Sequence, residues 1–283
     1  MRFPWYMLLV LLVGSYACGQ DLFTLAATGT PTQVKAALVQ GVKVNQRDKD
    51  GMTLLMWGAV NPASEVVTAL LQVGAKVDQR DNNGKTPLMW AAVNPTADVV
   101  TALVKAGAKV DDRDKKGVTP LMVAAKFNAS PAVITALLKT GAKVDDRDKH
   151  GMTPLMHAAT ANPFPAIITV LVKAGAKIDD RDKDGMTPLM HAAAMNLFPD
   201  IITVLLHAGA KVDDQDKHGM TALMVAAKFN RSPNSDDIIQ TLLKAGANPK
   251  LVSKEHKTAF DYYVEKHKGE ETAAYRALKD GQQ

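Results

Sequence analysis

Cys18 is the chain's one cysteine, so no internal disulfide can form and the fold has to rest on its core alone. Aromatics make up 5% of the residues while Ala, Leu, Val and Met are plentiful. That excludes a core built on large rings and favours helices that approach closely through small side chains. No apolar run reaches the ~20 residues needed to span a bilayer as a helix. A nucleophile elbow, a phosphate-binding glycine loop and a helical zinc-protease motif are all missing, which removes the enzyme classes they mark. Basic blocks are missing too. The net charge of +5 and a pI near 9.1 would suit nucleic acid, but acidic and basic residues alternate and leave no basic stripe. What remains is 47% apolar and 22% charged, the composition of an ordinary folded protein.

The first residues, MRFPWYMLLVLLVG, put one early cation at Arg2 ahead of an apolar run from Met7 to Val13, followed by Ser15, Tyr16, Ala17 and Cys18. This is the layout of a secretory signal, with small residues at Ser15 and Ala17 placing a cut before Cys18. The expectation is a leader over 1–17, an exported mature chain over 18–283, and a location in the periplasm or cell envelope. A lone cysteine directly after the cut resembles the bacterial lipoprotein signal, which makes Cys18 the lipidation candidate. Ordinary signal-peptidase cleavage at the same bond is the alternative, because Ser15 stands where that family usually has Leu.

A repeat organises the rest. Thr opens a Thr-Pro-Leu-Met-like tetrapeptide at 53, 86, 119, 153, 187 and 221, a spacing of 33 or 34 residues. The segment at Asp21 aligns as a degenerate first unit, and the one at Thr258 as a last. The local chemistry recurs: Thr caps a helix and Pro sits at its first position, where no amide donor is missed. A Leu-Met-x-Ala-Ala face follows, then Asn near a Pro, then a second helix that ends at Gly. Asn is expected to end the first helix in the left-handed conformation. An extended Lys-Val-Asp-Asp-Arg-Asp stretch and a turn such as Lys183-Asp184-Gly185 lead into the next Thr. Residues 230–236 carry an insertion, and Ala273 to Leu278 is a candidate terminal helix that covers the array.

Over residues 21–270 this pattern resembles the ankyrin-repeat family. The family usually carries His where this chain has Met56, Met89, Met122, Met156, Met190 and Met224. The resemblance implies an all-α solenoid of about eight stacked helix-turn-helix units with short β-hairpin-like fingers. The units start near 21, 53, 86, 119, 153, 187, 221 and 258 of a single domain. It also implies a protein partner bound on the concave surface of fingers and inner helices, with no catalytic residue, cofactor or resident metal, and a monomeric chain.

Two features imitate metal sites. Asp180 to Gly185 matches the first half of a calcium loop, but His191 stands at the twelfth position, where that loop needs Glu. His157 and His191 occupy one register in adjacent units, where others have Trp57, Trp90, Val123 and Val225. No third ligand repeats beside them, so the position reads as packing. The acidic and basic residues around Asp145-Asp146-Arg147-Asp148 read as ion pairs along the stack. The residue after each turn Gly is Met52, Lys85, Val118, Met152, Met186 or Met220, five of six apolar, which makes these an expected exposed contact row. His150 and His218 lie beside it. Met52, Val118, His150, Met152, Met186, His218 and Met220 are therefore the candidate partner-binding residues of an extracytoplasmic scaffold that holds or masks another protein. The alternative reading is a small-ligand or metal-binding envelope protein.

Overall fold

Each repeated Thr does what its position requires. The hydroxyls of Thr53, Thr86, Thr119, Thr153, Thr187 and Thr221 accept the amide of the Met three residues on, at 3.3–3.4 Å. In four of these caps the Met sulfur accepts the Thr amide in return, at 3.4–3.5 Å. The thioether thus takes the place of the carboxylate or amide of an ordinary capping box, as a weak acceptor that is itself fully at home in the core.

The computed structural model describes residues 21–39, 41–267 and 271–282. The expected leader and Cys18 lie outside the described residues. Sixteen described helices form eight pairs, and the contacts divide the chain into two compact units at Lys143 and Val144. The first unit holds α1 (Leu22–Thr28), α2 (Pro31–Leu38), α3 (Leu54–Ala59), α4 (Ser64–Gln72), α5 (Pro87–Ala91), α6 (Ala97–Lys105), α7 (Pro120–Phe127) and α8 (Pro131–Lys139). The second holds α9 (Pro154–Ala161), α10 (Pro165–Lys173), α11 (Pro188–Met195), α12 (Pro199–His207), α13 (Ala222–Phe229), α14 (Ser235–Lys244), α15 (Ala259–His267) and α16 (Ala273–Asp280).

Within each unit the odd-numbered inner helices pack on one another in chain order, and so do the even-numbered outer ones, giving two layers with the core between them. In the second unit Leu155, Met156, Ala158 and Ala159 of α9 face Ile167, Ile168 and Leu171 of α10, all with no measurable exposure. The expected terminal helix is α16, which packs on α14 and α15. The fold class is the all-α solenoid of stacked helix pairs. The fingers are turns instead of hairpins, since the β pairing among the described residues is one isolated bridge between Arg47 and Thr53.

Glycine is required at two points of each repeat for different reasons. Gly175, which closes α10, sits at φ +96° with open space around it, so only backbone strain bars a side chain. Gly185, at the finger turn, sits at φ +82°, and a Cβ there would stand 3.0 Å from the Lys217 amide of the next finger. It serves the stack as well as the turn.

The recurring Asn has another role than the one expected of it. Asn128, Asn162, Asn196 and Asn230 have φ between −70° and −90° in extended backbone, not the left-handed region. Their use is the side chain. Asn196 Nδ2 donates to the carbonyls of Ala159 (2.8 Å) and Asn162 (3.2 Å), and its Oδ1 accepts the Phe198 amide (3.0 Å). Asn230 reaches Ala193 and Asn196 in the same manner. In the first unit Asn61, Asn94 and Asn128 each reach back to two carbonyls of the preceding pair. The side chains are buried, so each amide must find all its partners inside the protein. Asn196→Ala should cost about 2–4 kcal/mol by chemical denaturation, because two buried carbonyls and the part-buried Phe198 amide lose a partner. Asn196→Asp, the same shape with an acceptor facing two carbonyl acceptors, should cost more at neutral pH. An aspartate variant as stable as the parent would show that the ladder contributes nothing.

Candidate functional site

The finger is built around one carboxylate. Asp148 Oδ1 accepts the amides of His150 (2.8 Å) and Met152 (3.0 Å), while its backbone exchanges with Met152 and Gly151 and so closes the turn. Its second oxygen, Oδ2, faces the inner helix nine residues on and meets His157 Nε2 at 3.0 Å. Asp182 repeats this with Asp184, Met186 and His191 (2.8 Å). In the first unit the ring donor is Trp: Trp57 Nε1 gives to Asp48 at 2.9 Å and Trp90 Nε1 to Asp81 at 3.2 Å. In the last repeat Ser253 and Tyr262 share a hydrogen bond of 2.8 Å at the same register. Trp and His thus share a position because each offers a ring N–H to the finger Asp, and the Tyr262 hydroxyl bonds the finger Ser253 at the same register. The packing reading of His157 and His191 missed this partner. The signal available was the constant separation of nine residues between the finger Asp and a polar ring.

These pairs set the titration of the site. Burial pushes the Asp148 carboxyl up, but the His157 ring and the Met152 and His150 amides outweigh it and hold it below its usual value of 3.8. Asp182 is lowered in the same way, burial being overcome by His191 and the amides of Met186 and Asp184. An ionised carboxylate cannot donate, so His157 Nε2 carries the proton and mimics the indole N–H of its sister units. Its Nδ1 is buried without a hydrogen-bond partner. A carboxylate–histidine pair is how many enzymes orient a base. Here the second nitrogen is enclosed, His157 is 7% exposed, and no substrate can reach it.

The fingers are stacked through their backbones. The Lys183 amide donates to the His150 carbonyl, Lys217 to Asp184, and Lys254 to His218, each at 2.9–3.0 Å. Arg147 and Arg181 reach forward to the next finger's backbone and pair with Asp180 and Asp214, both at 2.9 Å. In the first unit Arg80 does the same with Arg113 and Asp112. The calcium-like segment is consumed by these contacts, with Asp180 held by Arg147 and Asp182 by His191. Among the described residues no three of His, Cys, Asp and Glu converge as a metal site.

The expected apolar row is not exposed as a row. Met52 is 5% and Met220 4% exposed, and Val118, Met152 and Met186 are half-buried. The cause is local. The residue after the turn Gly is gripped by the finger Asp through both its amide and its carbonyl, which places it at the root of the finger next to the capped helix. The exposed tips are polar instead: Lys149 and His150, Lys183 and Asp184, Lys217 and His218 in the second unit, and Lys115 and Lys116 in the first. Of the candidate partner-binding residues, only His150 and His218 are exposed.

The sequence pattern described as "Ankyrin repeats (3 copies)" matches residues 22–114, 97–182 and 161–253. Among solved structures the chain is similar to the crystal structure of the human ASB11 ankyrin repeat domain. The TM-score is 0.67 at 26% identity, over 82% of this chain and 100% of that one. Comparison with the curated proteins gives no match.

Because Asp148 and Asp182 are depressed when folded, they bind fewer protons in the native than in the unfolded state around and below pH 3.8. Their contribution is therefore fully present above that value and is lost as pH falls through the lower folded values. Urea unfolding of Asp148→Asn/Asp182→Asn should show lower stability than the parent at pH 7, with the gap narrowing at pH 3. A gap that stays constant across that range would assign the loss to packing instead.

Proposed function

The chain belongs to the ankyrin-repeat family, and from that premise we propose that it is an extracytoplasmic scaffold, not an enzyme, that holds or masks a partner protein. Ankyrin repeats generally mediate protein–protein interaction, and the surface proposed here is that of the fingers and inner helices. The observation that supports it is the finger stack. Its backbone groups and root carboxylates are spent within the fold, while the tip side chains remain in solvent on a braced frame. Binding on such a frame loses little ordering entropy.

The contact residues in this reading are His150 and His218 at the tips of the second unit with the half-buried Met152 and Met186. Met52 and Met220 are too enclosed to reach a partner. His150→Ala/Met152→Ser/Met186→Ser/His218→Ala should lose at least tenfold in partner capture from envelope extract with a melting temperature within a few degrees of the parent. Undiminished capture would move the binding surface elsewhere.

Export is the second half of the proposal. It rests on the layout of residues 1–18, with Cys18 as the first mature residue and the lipidation candidate. Intact mass of protein recovered from the envelope should fit a chain beginning at Cys18. Added acyl mass would establish a lipid anchor, the bare peptide mass ordinary cleavage. Retention of Met1 to Ala17 would defeat the export reading.

A further inference from the structure

The opposite edge of the second unit, where inner helices hand over to outer ones, carries a different chemistry. Phe164, Met195, Leu197, Phe198 and Phe229 are 42%, 62%, 38%, 41% and 49% exposed. They fall in register around the ladder asparagines. Met195 and Phe229 directly precede Asn196 and Asn230, while Phe164 and Phe198 follow Asn162 and Asn196 by two. Since Asn196 and Asn230 tie each loop to the one before, the five side chains form one strip across three successive loops. In the first unit the corresponding positions at Asn61 and Asn94 hold Val60, Ala63, Val93 and Thr96, all half-buried, and the Asn128 loop carries one exposed ring, Phe127 (46%), with the half-buried Ser130 two after the Asn.

The backbone along this strip is already engaged. The carbonyls of Asn162 and Asn196 accept ladder amides, and that of Leu197 accepts Asn234 Nδ2 at 2.7 Å. The amides of Phe164 and Phe198 are held by Asn Oδ1, and their carbonyls by Ile167 and Ile201. An extended peptide adding itself as a strand would find few main-chain partners, so the occupant must satisfy its own backbone. At roughly 200 Å² for each large side chain the strip offers on the order of 450 Å². A standard interface needs about 800 Å² from each partner, so the strip falls short of a stable dimer with a second copy.

From these constraints we infer that the strip is a docking site for one amphipathic α-helix of a partner protein, a second surface independent of the fingers. Loops one helix spacing apart, about 8–10 Å, match the rise of about 10.5 Å between helical residues i and i+7. The phenylalanines of adjacent loops thus meet every second turn of one apolar face. Charge sets its orientation. Asp200 and Asp237, both exposed, lie in the first turns of α12 and α14 on the outer-helix side, while Asp236 beside them is held by the Tyr263 hydroxyl. On the inner side Lys266 is spent on the Asn230 carbonyl and Lys228 on Glu255, which leaves Arg231, exposed in the loop between α13 and α14, as the cation facing a ligand. The docked helix carries carboxylates on its flank toward the inner helices and cations on the other.

The test uses a labelled 18-residue peptide with Leu at i, i+3, i+4 and i+7, Glu on one flank and Lys on the other, read by fluorescence anisotropy against the full chain. A scrambled peptide of the same composition is the control. The variant Phe164→Ser/Phe198→Ser/Met195→Ala/Phe229→Ala takes the residues of sister repeats, Ser130, Ser232 and Ala161, so its fold is expected to survive. Saturable binding of the patterned peptide, at least tenfold tighter than the scrambled one and at least tenfold weaker to the variant, supports the inference. Asp200→Lys/Arg231→Glu, two exposed positions, should prefer a peptide with its flanks exchanged. That gives an answer should the fourfold variant unfold. Equal binding by parent and variants overturns the inference. So does strip-dependent binding to phosphatidylcholine/phosphatidylglycerol vesicles, or strip-dependent self-association, without peptide binding.

Discussion

Within each unit the stack turns on a buried asparagine amide that cannot be satisfied inside its own repeat. Its two N–H donors end on carbonyls of the preceding pair, and its oxygen holds the amide two residues on, at the mouth of the outer helix. Loop conformation, helix exit and repeat register are thereby settled together, since a slip of one residue would strand two buried carbonyls and a part-buried amide. The last pair has no such Asn. Lys266 of α15 instead sends its ammonium to the Asn230 carbonyl. Burial and the nearby Arg231 lower its pKa while Asp236 acts against them. A long cation at the end of the ladder does the donor's work where no further repeat follows among the described residues.

The finger obeys the same rule of full use. Asp148 and Asp182 give one oxygen to the turn and one to the inner helix, so the finger cannot swing without losing a buried hydrogen bond. Val123 and Val225 at the ring position show that the anchor is dispensable in single repeats, as expected where stability is shared among neighbours. His in place of Trp keeps the N–H but adds a second nitrogen, which at His157 is enclosed without a partner. The repeat of His157 therefore carries a polar atom whose cost the Trp repeats avoid.

Period, caps and helix-closing glycines were legible in the sequence because each is a local requirement. Thr before Pro caps, and Gly at a positive φ closes, whatever lies next door. The misreadings concern side-chain hydrogen bonds to partners beyond the local turn, four or nine residues away within a repeat or a whole repeat back. Asn was read for its backbone tolerance when its function is a side-chain bridge 32 to 37 residues back. The residue after the finger Gly was read as exposed because the turn is exposed, yet the Asp pulls that residue to the root. His157 and His191 looked interchangeable with Trp and Val only as volumes. Separation in sequence hides the acceptor that makes Trp and His equivalent. The candidate partner surface was half visible for the same reason: His150 and His218 sit at the turn itself, while the methionines depend on how the finger folds back.

Concentrating the polar obligations of a loop in one Asn also frees the residues around it. The position before the ladder Asn holds Val, Ala, Met or Phe, and the position two after it holds Ala, Thr, Ser or Phe, with the loop backbone still bonded through the Asn oxygen. The finger Asp gives the tip the same freedom, since it binds backbone amides and is indifferent to whether the tip side chain is Asp, Asn, Lys or His. Each repeat thus has two places where surface chemistry can change without disturbing the stack, at opposite ends of the inner helix. In the second unit one of them has become polar and partly basic and the other apolar, so a ligand suited to one is poorly suited to the other. Two chemically distinct surfaces on one scaffold follow directly from confining the structural work to one Asn and one Asp per repeat.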